Sequence, residues 1–170
     1  GRIEKILGGL HYVEIGTAPM DLEQKQYLMR SLPKVKLLIN YGASEARRAV
    51  YMDLNEHADK LKAIGRAVKG MEIKILDEYD NVMDSSPQRV GRITIFGGTC
   101  MSGYWNEPEL TKETLLDGGV ATSDLGYLDE EGFIFLVGRA NDVINVGGKK
   151  VSHLEIEDTV MSFGNISECA

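Results

Sequence analysis

The run from Gly138 to Glu157, GRANDVINVGGKKVSHLEIE, limits the possible folds more than any other part of the chain. Asp142 to Val146 alternates and is rich in Val and Ile, which is the pattern of a strand. Gly147-Gly148 supplies the positive φ of a tight hairpin turn, and Lys149 to Val151 returns as the second strand. Ser152 stands three residues before Glu155. That spacing is a capping box, in which each side chain satisfies a backbone N–H at the start of a helix, here expected to run through Ser162. The stretch therefore predicts strand, turn, strand, helix. On these residues alone it reads equally well as a plain hairpin packed on a helix with solvated lysines or as a stretch that carries function.

With 170 residues the chain makes one ordinary domain or two small ones, and 43% hydrophobic residues suffice for a real core. The apolar runs are short and interrupted by charge, so neither a signal peptide nor a membrane span is expected. A net charge of -7 and a pI near 5.0 argue against a nucleic-acid surface, which shows a basic balance or stripe. Positive charge is local, at Arg47-Arg48 and Lys149-Lys150. Cys100 and Cys169 lack CxxC spacing and read as reduced thiols of a cytoplasmic protein. His11, His57 and His153 are isolated and read as structural or exposed.

Leu10 to Ile15 predicts a strand that delivers the loop Gly16-Thr17-Ala18-Pro19. Asp21 caps a helix over Leu22 to Ser31, ended by Pro33, and Val35 to Asn40 predicts the next strand. Strand, helix, strand implies parallel α/β packing, where ligands bind at the carboxyl ends of strands. Both the Gly16 loop and Tyr41-Gly42-Ala43-Ser44-Glu45 fall there. From Ala63 onward glycines punctuate short alternating runs, notably Met71 to Leu76 and Arg92 to Phe96, which predict antiparallel strands in a small barrel or sheet. A helix is expected around Leu110 to Leu116, with Tyr104 and Trp105 before it serving packing. Gly126 to Leu128 and Phe133 to Val137 predict a hairpin around Asp129-Glu130-Glu131-Gly132, read as a solvated turn. That turn lacks the alternating ligands of an EF-hand. The expected fold class is α/β with a β-rich part: 1–62 the end of a parallel layer, 63–138 a barrel-like subdomain, 139–170 a hairpin and helix.

Several of these segments together resemble the adenylate-forming superfamily, which includes acyl-CoA synthetases, the adenylation domains of peptide synthetases, and luciferases. Its hinge pattern, Gly-Arg-x-x-Asp-x-Ile followed by Gly, a basic residue and Glu-Ile-Glu, is matched by Gly138, Arg139, Asp142, Ile144, Gly148, Lys150 and Glu155-Ile156-Glu157. YGASE resembles Tyr-Gly-x-Thr-Glu with Ser44 in place of Thr, and Met101 to Trp105 resembles Met-x-Gly-Tyr-Trp. Thr122-Ser123-Asp124-Leu125-Gly126 resembles Thr-Gly-Asp-Leu-Gly.

The resemblance implies roles for these residues. Tyr41 takes the adenine, Gly42 lets the backbone approach, Ser44 donates to a phosphate oxygen, and Glu45 holds Mg²⁺. Gly16, Ala18 and Pro19 lie along the base, while Asp124 and Arg139 hold the ribose. Gly148, with Lys150 beside it, borders the pantetheine arm of coenzyme A. Departures from the family habit are Ser123 for Gly, Gly119 for a common Trp, Arg92 for a frequent Glu, and Asn141 at the pivot. The family's phosphate loop and late catalytic Lys have no counterpart in the chain, so a fragment, inactive alone, is expected. The implied activity of the parent is ATP-dependent activation of a carboxylic acid to an acyl-adenylate, then transfer to coenzyme A. The alternatives are transfer to a carrier protein and a non-catalytic β-rich binding module.

Overall fold

In the computed structural model of the chain, residues 2–7, 9–16, 20–140, 143–146, 149–163, 165–166 and 169 are described. Of 143–146, 149–155 and 158 only the backbone course is described. After the short helix α1 (Arg2–Leu7), strand β1 (Tyr12–Ile15) leads through helix α2 (Leu22–Ser31) to β2 (Lys36–Ala43). The crossover starts as its sequence dictates, because the Asp21 carboxylate accepts from the Gln24 N–H at 2.7 Å and satisfies a donor that the helix leaves orphaned. β1 and β2 pair in parallel, Tyr12 opposite Lys36 and Ile15 opposite Ile39.

β2 does not end at Asn40. It continues through Tyr41 and Gly42, turns at Ser44-Glu45, and returns as β3 (Ala46–Asp53), with β4 (Arg66–Ala67) antiparallel on its far edge. The second sheet is antiparallel throughout. It contains β5 (Met71–Leu76), β6 (Gly91–Gly97), β7 (Leu115–Leu116), β8 (Gly119–Leu128) and β9 (Ile134–Arg139). Its order is β5-β6-β8-β7, with β9 also on β8. Helix α3 (Pro108–Thr114) starts two residues earlier than expected, since Pro108 presets φ at the first turn. Leu115 and Leu116 leave the helix to pair with Val120 and Gly119. β10 (Val143–Val146) and β11 (Lys149–Ser152) form an antiparallel hairpin that feeds helix α4 (His153–Met161). The fold is thus α/β with a β-rich part.

The two sheets are joined through β3, whose first part, up to Val50, packs into one buried cluster and whose end, from Met52 on, packs into a second. Met52 and Leu54 pack with Leu32, Leu37, Leu61 and Phe133, whereas Ala46, Ala49 and Val50 pack with Ile73, Ile75, Ile93, Ile95 and Ile134. Phe133 and Ile134, adjacent in sequence, likewise serve opposite clusters. The Asp129–Gly132 turn is not merely solvated: Lys60 donates to Asp129 at 2.8 Å and to Glu131 at 2.5 Å, tying the hairpin to the segment after β3.

Backbone bonds reinforce the joint, Ile64 N–H to Ile134 O at 2.9 Å and Ile134 N–H to Gly65 O at 2.8 Å. Gly65 has φ +122°, and a Cβ there would lie 2.3 Å from the Tyr51 carbonyl oxygen. Gly65→Ala is therefore expected to destabilise the fold by roughly 3 kcal/mol, the sum of backbone strain and a clash that must push strands apart. Gly70→Ala, at φ +87° in open space, is expected to cost only about 1 kcal/mol. Urea unfolding midpoints of the two variants check the difference.

Candidate functional site

The end of β9, the middle of β8 and the last part of β2 meet at one carboxylate. Register places Asp124 opposite Arg139 on neighbouring strands, and the Arg139 Nε donates to Asp124 Oδ1 at 3.1 Å. From the other sheet, the Tyr41 hydroxyl donates to Asp124 Oδ2 at 2.6 Å. Thr122, buried one pleat earlier, accepts from the Asp124 N–H at 3.1 Å and donates to the Ile93 carbonyl at 2.7 Å. Burial first, and then the bond to Asp124, push the Tyr41 hydroxyl well above the ordinary tyrosine value. It is a donor at neutral pH. Asp124 is 15% exposed and Arg139 63%, so the cluster opens to solvent on the arginine side. Each Asp124 oxygen takes one of these donors, and a carboxylate offers about four lone-pair sites, so acceptor capacity remains for a ligand with paired hydroxyls.

The hairpin that carries Tyr41 holds a second carboxylate at its turn. The Tyr104 hydroxyl donates to Glu45 Oε1 at 2.6 Å, and that bond chiefly raises the Tyr104 pKa. Ser44 beside it is exposed. Between Tyr41↔Val50 and Ala43↔Ala46 the register shifts, so that β3 bulges opposite Gly42, with Arg48 at φ 49°. A Cβ on Gly42 would meet Ala46 O at 2.6 Å and Arg48 N at 2.7 Å. The returning strand's backbone therefore requires a glycine here. At the end of β1, Gly16 abuts the Asn40 side chain, 2.8 Å from where a Cβ would stand. Asn40 in turn donates to Glu14 at 2.8 Å, and Arg48 pairs with the same carboxylate.

The sequence pattern of the family described as "AMP-binding enzyme" matches residues 2–105. The chain belongs to the AMP-binding enzyme family. The match covers β1, the Tyr41 hairpin and the Tyr104 loop.

Among curated proteins, the chain is 32% identical over 169 residues to 4-coumarate-CoA ligase 1 of Narcissus pseudonarcissus, covering 96% of this chain and 31% of that protein. It is 33% identical over 153 residues to the long-chain-fatty-acid–CoA ligase of Bacillus subtilis strain 168, covering 90% and 27%. The amide bond synthetase of Marinactinospora thermotolerans superposes with a TM-score of 0.84 at 28% identity, over 94% of this chain and 32% of that one. The o-succinylbenzoate CoA synthetase of Bacillus subtilis, solved with ATP and magnesium ion, gives 0.81 at 28%, over 92% and 32%. The chain spans about a third of the length of the curated relatives it matches.

Of the residues that the sequence singles out in this member of the AMP-binding enzyme family, Tyr41, Asp124 and Arg139 are brought together, and Gly16, Gly42, Ser44 and Glu45 lie on the same hairpin or beside it. Ala18, Pro19, Gly148 and the pivot Asn141 lie outside the described residues, and Lys150 is described only as a backbone position opposite Asn145. Tyr104 was expected to serve packing, yet its hydroxyl is committed to Glu45. Trp105 was expected to pack and is 90% exposed. Their motif marks the place, but a phenol packs and donates equally well, so sequence cannot tell which use prevails. Gly119 leaves room for the Phe96 ring, 2.4 Å from where its Cβ would be.

Among the described residues no group of three or more His, Cys, Asp or Glu is placed to hold a metal ion. A lone Glu45 still fits magnesium, which takes one or two carboxylates together with substrate phosphates and water. No helix among them is long and apolar enough to cross a membrane.

A raised tyrosine pKa contributes stability below the unfolded value, about pH 10, and that contribution is lost as pH rises through the folded value. In an alkaline titration followed by tyrosinate absorbance, Tyr41 is expected to ionise after most of the seven tyrosines. Tyr41→Phe should remove that late component and leave the rest of the curve in place.

Proposed function

We propose that the protein is an AMP-forming ligase that activates a carboxylic acid with ATP and transfers the acyl group to coenzyme A. The observation that carries this reading is the single carboxylate, Asp124, held between Tyr41 and Arg139. Its spare lone pairs suit the two hydroxyls of a ribose, and charge-assisted bonds to an ionised carboxylate are strong ones. The curated CoA ligases to which the chain is similar support the ligase class and the thiol acceptor. The synthetase neighbour solved with ATP and magnesium ion supports the nucleotide.

In this reading Asp124 and Arg139 fix the ribose and Tyr41 lies against the base. Ser44 donates to a phosphate oxygen. Glu45 holds magnesium, which would neutralise charge on the phosphates. A substrate carboxylate oxygen then bonds to the α-phosphorus as the bond to pyrophosphate breaks. In the second half the thiol sulfur bonds to the acyl carbon, AMP leaves, and the thiol proton is released. Such chemistry needs positioning and charge neutralisation more than covalent help from the protein.

The same reading keeps 1–62 as the end of a large nucleotide-binding domain, 63–138 as its barrel-like companion and 139–170 as hinge and start of a further domain, in a cytoplasmic protein. Gly16, Ala18 and Pro19 then line the base, and Gly148 and Lys150 border the thiol. Transfer to a carrier protein is the second reading and shares the first half-reaction.

In the complete protein, Asp124→Ala should weaken ATP binding by about 1–3 kcal/mol through loss of hydrogen bonds to a charged group. Calorimetry that finds ATP affinity unchanged would count against the assignment. Replacing Gly148 with a bulky residue should leave acid-dependent pyrophosphate exchange intact while slowing thioester formation. Equal loss of both half-reactions would remove the thiol-path role.

A further inference from the structure

Glu45 is gripped by one loop, residues 97–107, at two points, backbone and side chain. The Met101 N–H donates to the Glu45 carbonyl at 2.7 Å, which pairs Cys100 with Ala46 in a short antiparallel bridge, and the Tyr104 hydroxyl separately donates to Oε1 at 2.6 Å. The loop is itself braced from α3. The Tyr104 N–H donates to Thr111 Oγ1 at 2.8 Å, and the Thr111 hydroxyl donates to the Glu107 carbonyl at 2.8 Å, locking the first helical turn to the loop. Gly103 lies flat against Thr111, 2.9 Å from where a Cβ would stand. A chain of contacts therefore runs from α3 through Tyr104 to one oxygen of a glutamate whose side chain is otherwise long and flexible.

Packing accounts for the ring of Tyr104 but not for the aim of its hydroxyl. We propose that Tyr104 is a positioning residue for divalent metal: by donating to Oε1 it holds the Glu45 carboxylate with Oε2 turned to the cation of a metal–nucleotide complex. The inference rests on the reading of Glu45 as the metal ligand. A phenol suits the task better than a lysine or arginine. It orients the carboxylate without neutralising the charge that attracts the cation. Partners that orient a ligating carboxylate matter in this way for metal sites generally.

The test uses calorimetry on the complete protein, with AMP in the absence of metal, and with ATP either in excess Mg²⁺ or with the metal chelated. The ratio of the two ATP affinities isolates the metal. Tyr104→Phe, which removes only the hydroxyl, is expected to lower that ratio about tenfold while AMP affinity stays at the wild-type value. Thr111→Val, which releases the brace, should lower it in the same direction. Glu45→Gln should abolish the ratio. If Glu45→Gln abolishes it and Tyr104→Phe does not change it, the positioning role is overturned and the metal ligand stands. Should the ratio survive Glu45→Gln, Glu45 is not the ligand and both ideas fall. Equal weakening of AMP and Mg²⁺–ATP by Tyr104→Phe is the signature of a merely structural tyrosine and also overturns the proposal.

Discussion

Strand β3 is buried on both faces, and the rest of the structure depends on that. Ala49 and Val50, neighbours on opposite faces, are both 0% exposed, and between Val50 and Met52 the strand passes from the core beneath the antiparallel sheet to the core beneath the parallel pair. A strand that feeds two cores cannot slide without moving every side chain off its face, so register is strongly specified. The hairpin β2–β3 then has one position relative to β8 and β9. The 2.6 Å bond from Tyr41 to Asp124, across 83 residues of sequence, follows from that fixed position.

The site built on this joint holds two carboxylates by the same means. Asp124 and Glu45 each accept a tyrosine hydroxyl at 2.6 Å, and among the described residues only Asp124 has a guanidinium as well. Neutral donors orient an anion and leave its charge available. Arg139 balances Asp124, where a ribose would bring hydroxyls and no charge, while Glu45 keeps its full charge for a cation. The difference between the two partner sets matches the difference between the two proposed ligands. Both tyrosines reach their carboxylates because the strands and loops beneath them are pinned, Tyr41 by the bulge at Arg48 and Tyr104 by Thr111.

Local signals in the sequence were read well. Asp21 caps α2, Met71 to Leu76 forms β5, and the two strands and helix after Arg139 appear in order. These succeed because each rests on a period or a cap that a few neighbouring residues fix. β3 was not legible. Burial on both faces removes the period-2 pattern, and the bulge breaks what alternation is left. Asp129 looked like a surface acid because its partner, Lys60, lies 69 residues earlier. Gly42 also has a packing reason that a motif does not reveal, since a Cβ there would meet backbone from the returning strand. The convergence of Tyr41, Asp124 and Arg139 entered through the family resemblance. No spacing rule would have brought them together.

The central claim is that the Asp124 cluster holds the sugar of an adenine nucleotide. The most direct measurement compares AMP with its 2′,3′-dideoxy form by calorimetry on the complete protein. The account expects AMP to bind at least about tenfold more tightly, since a charged hydrogen bond is worth roughly 1.5–3 kcal/mol. Equal affinity for the two would contradict it.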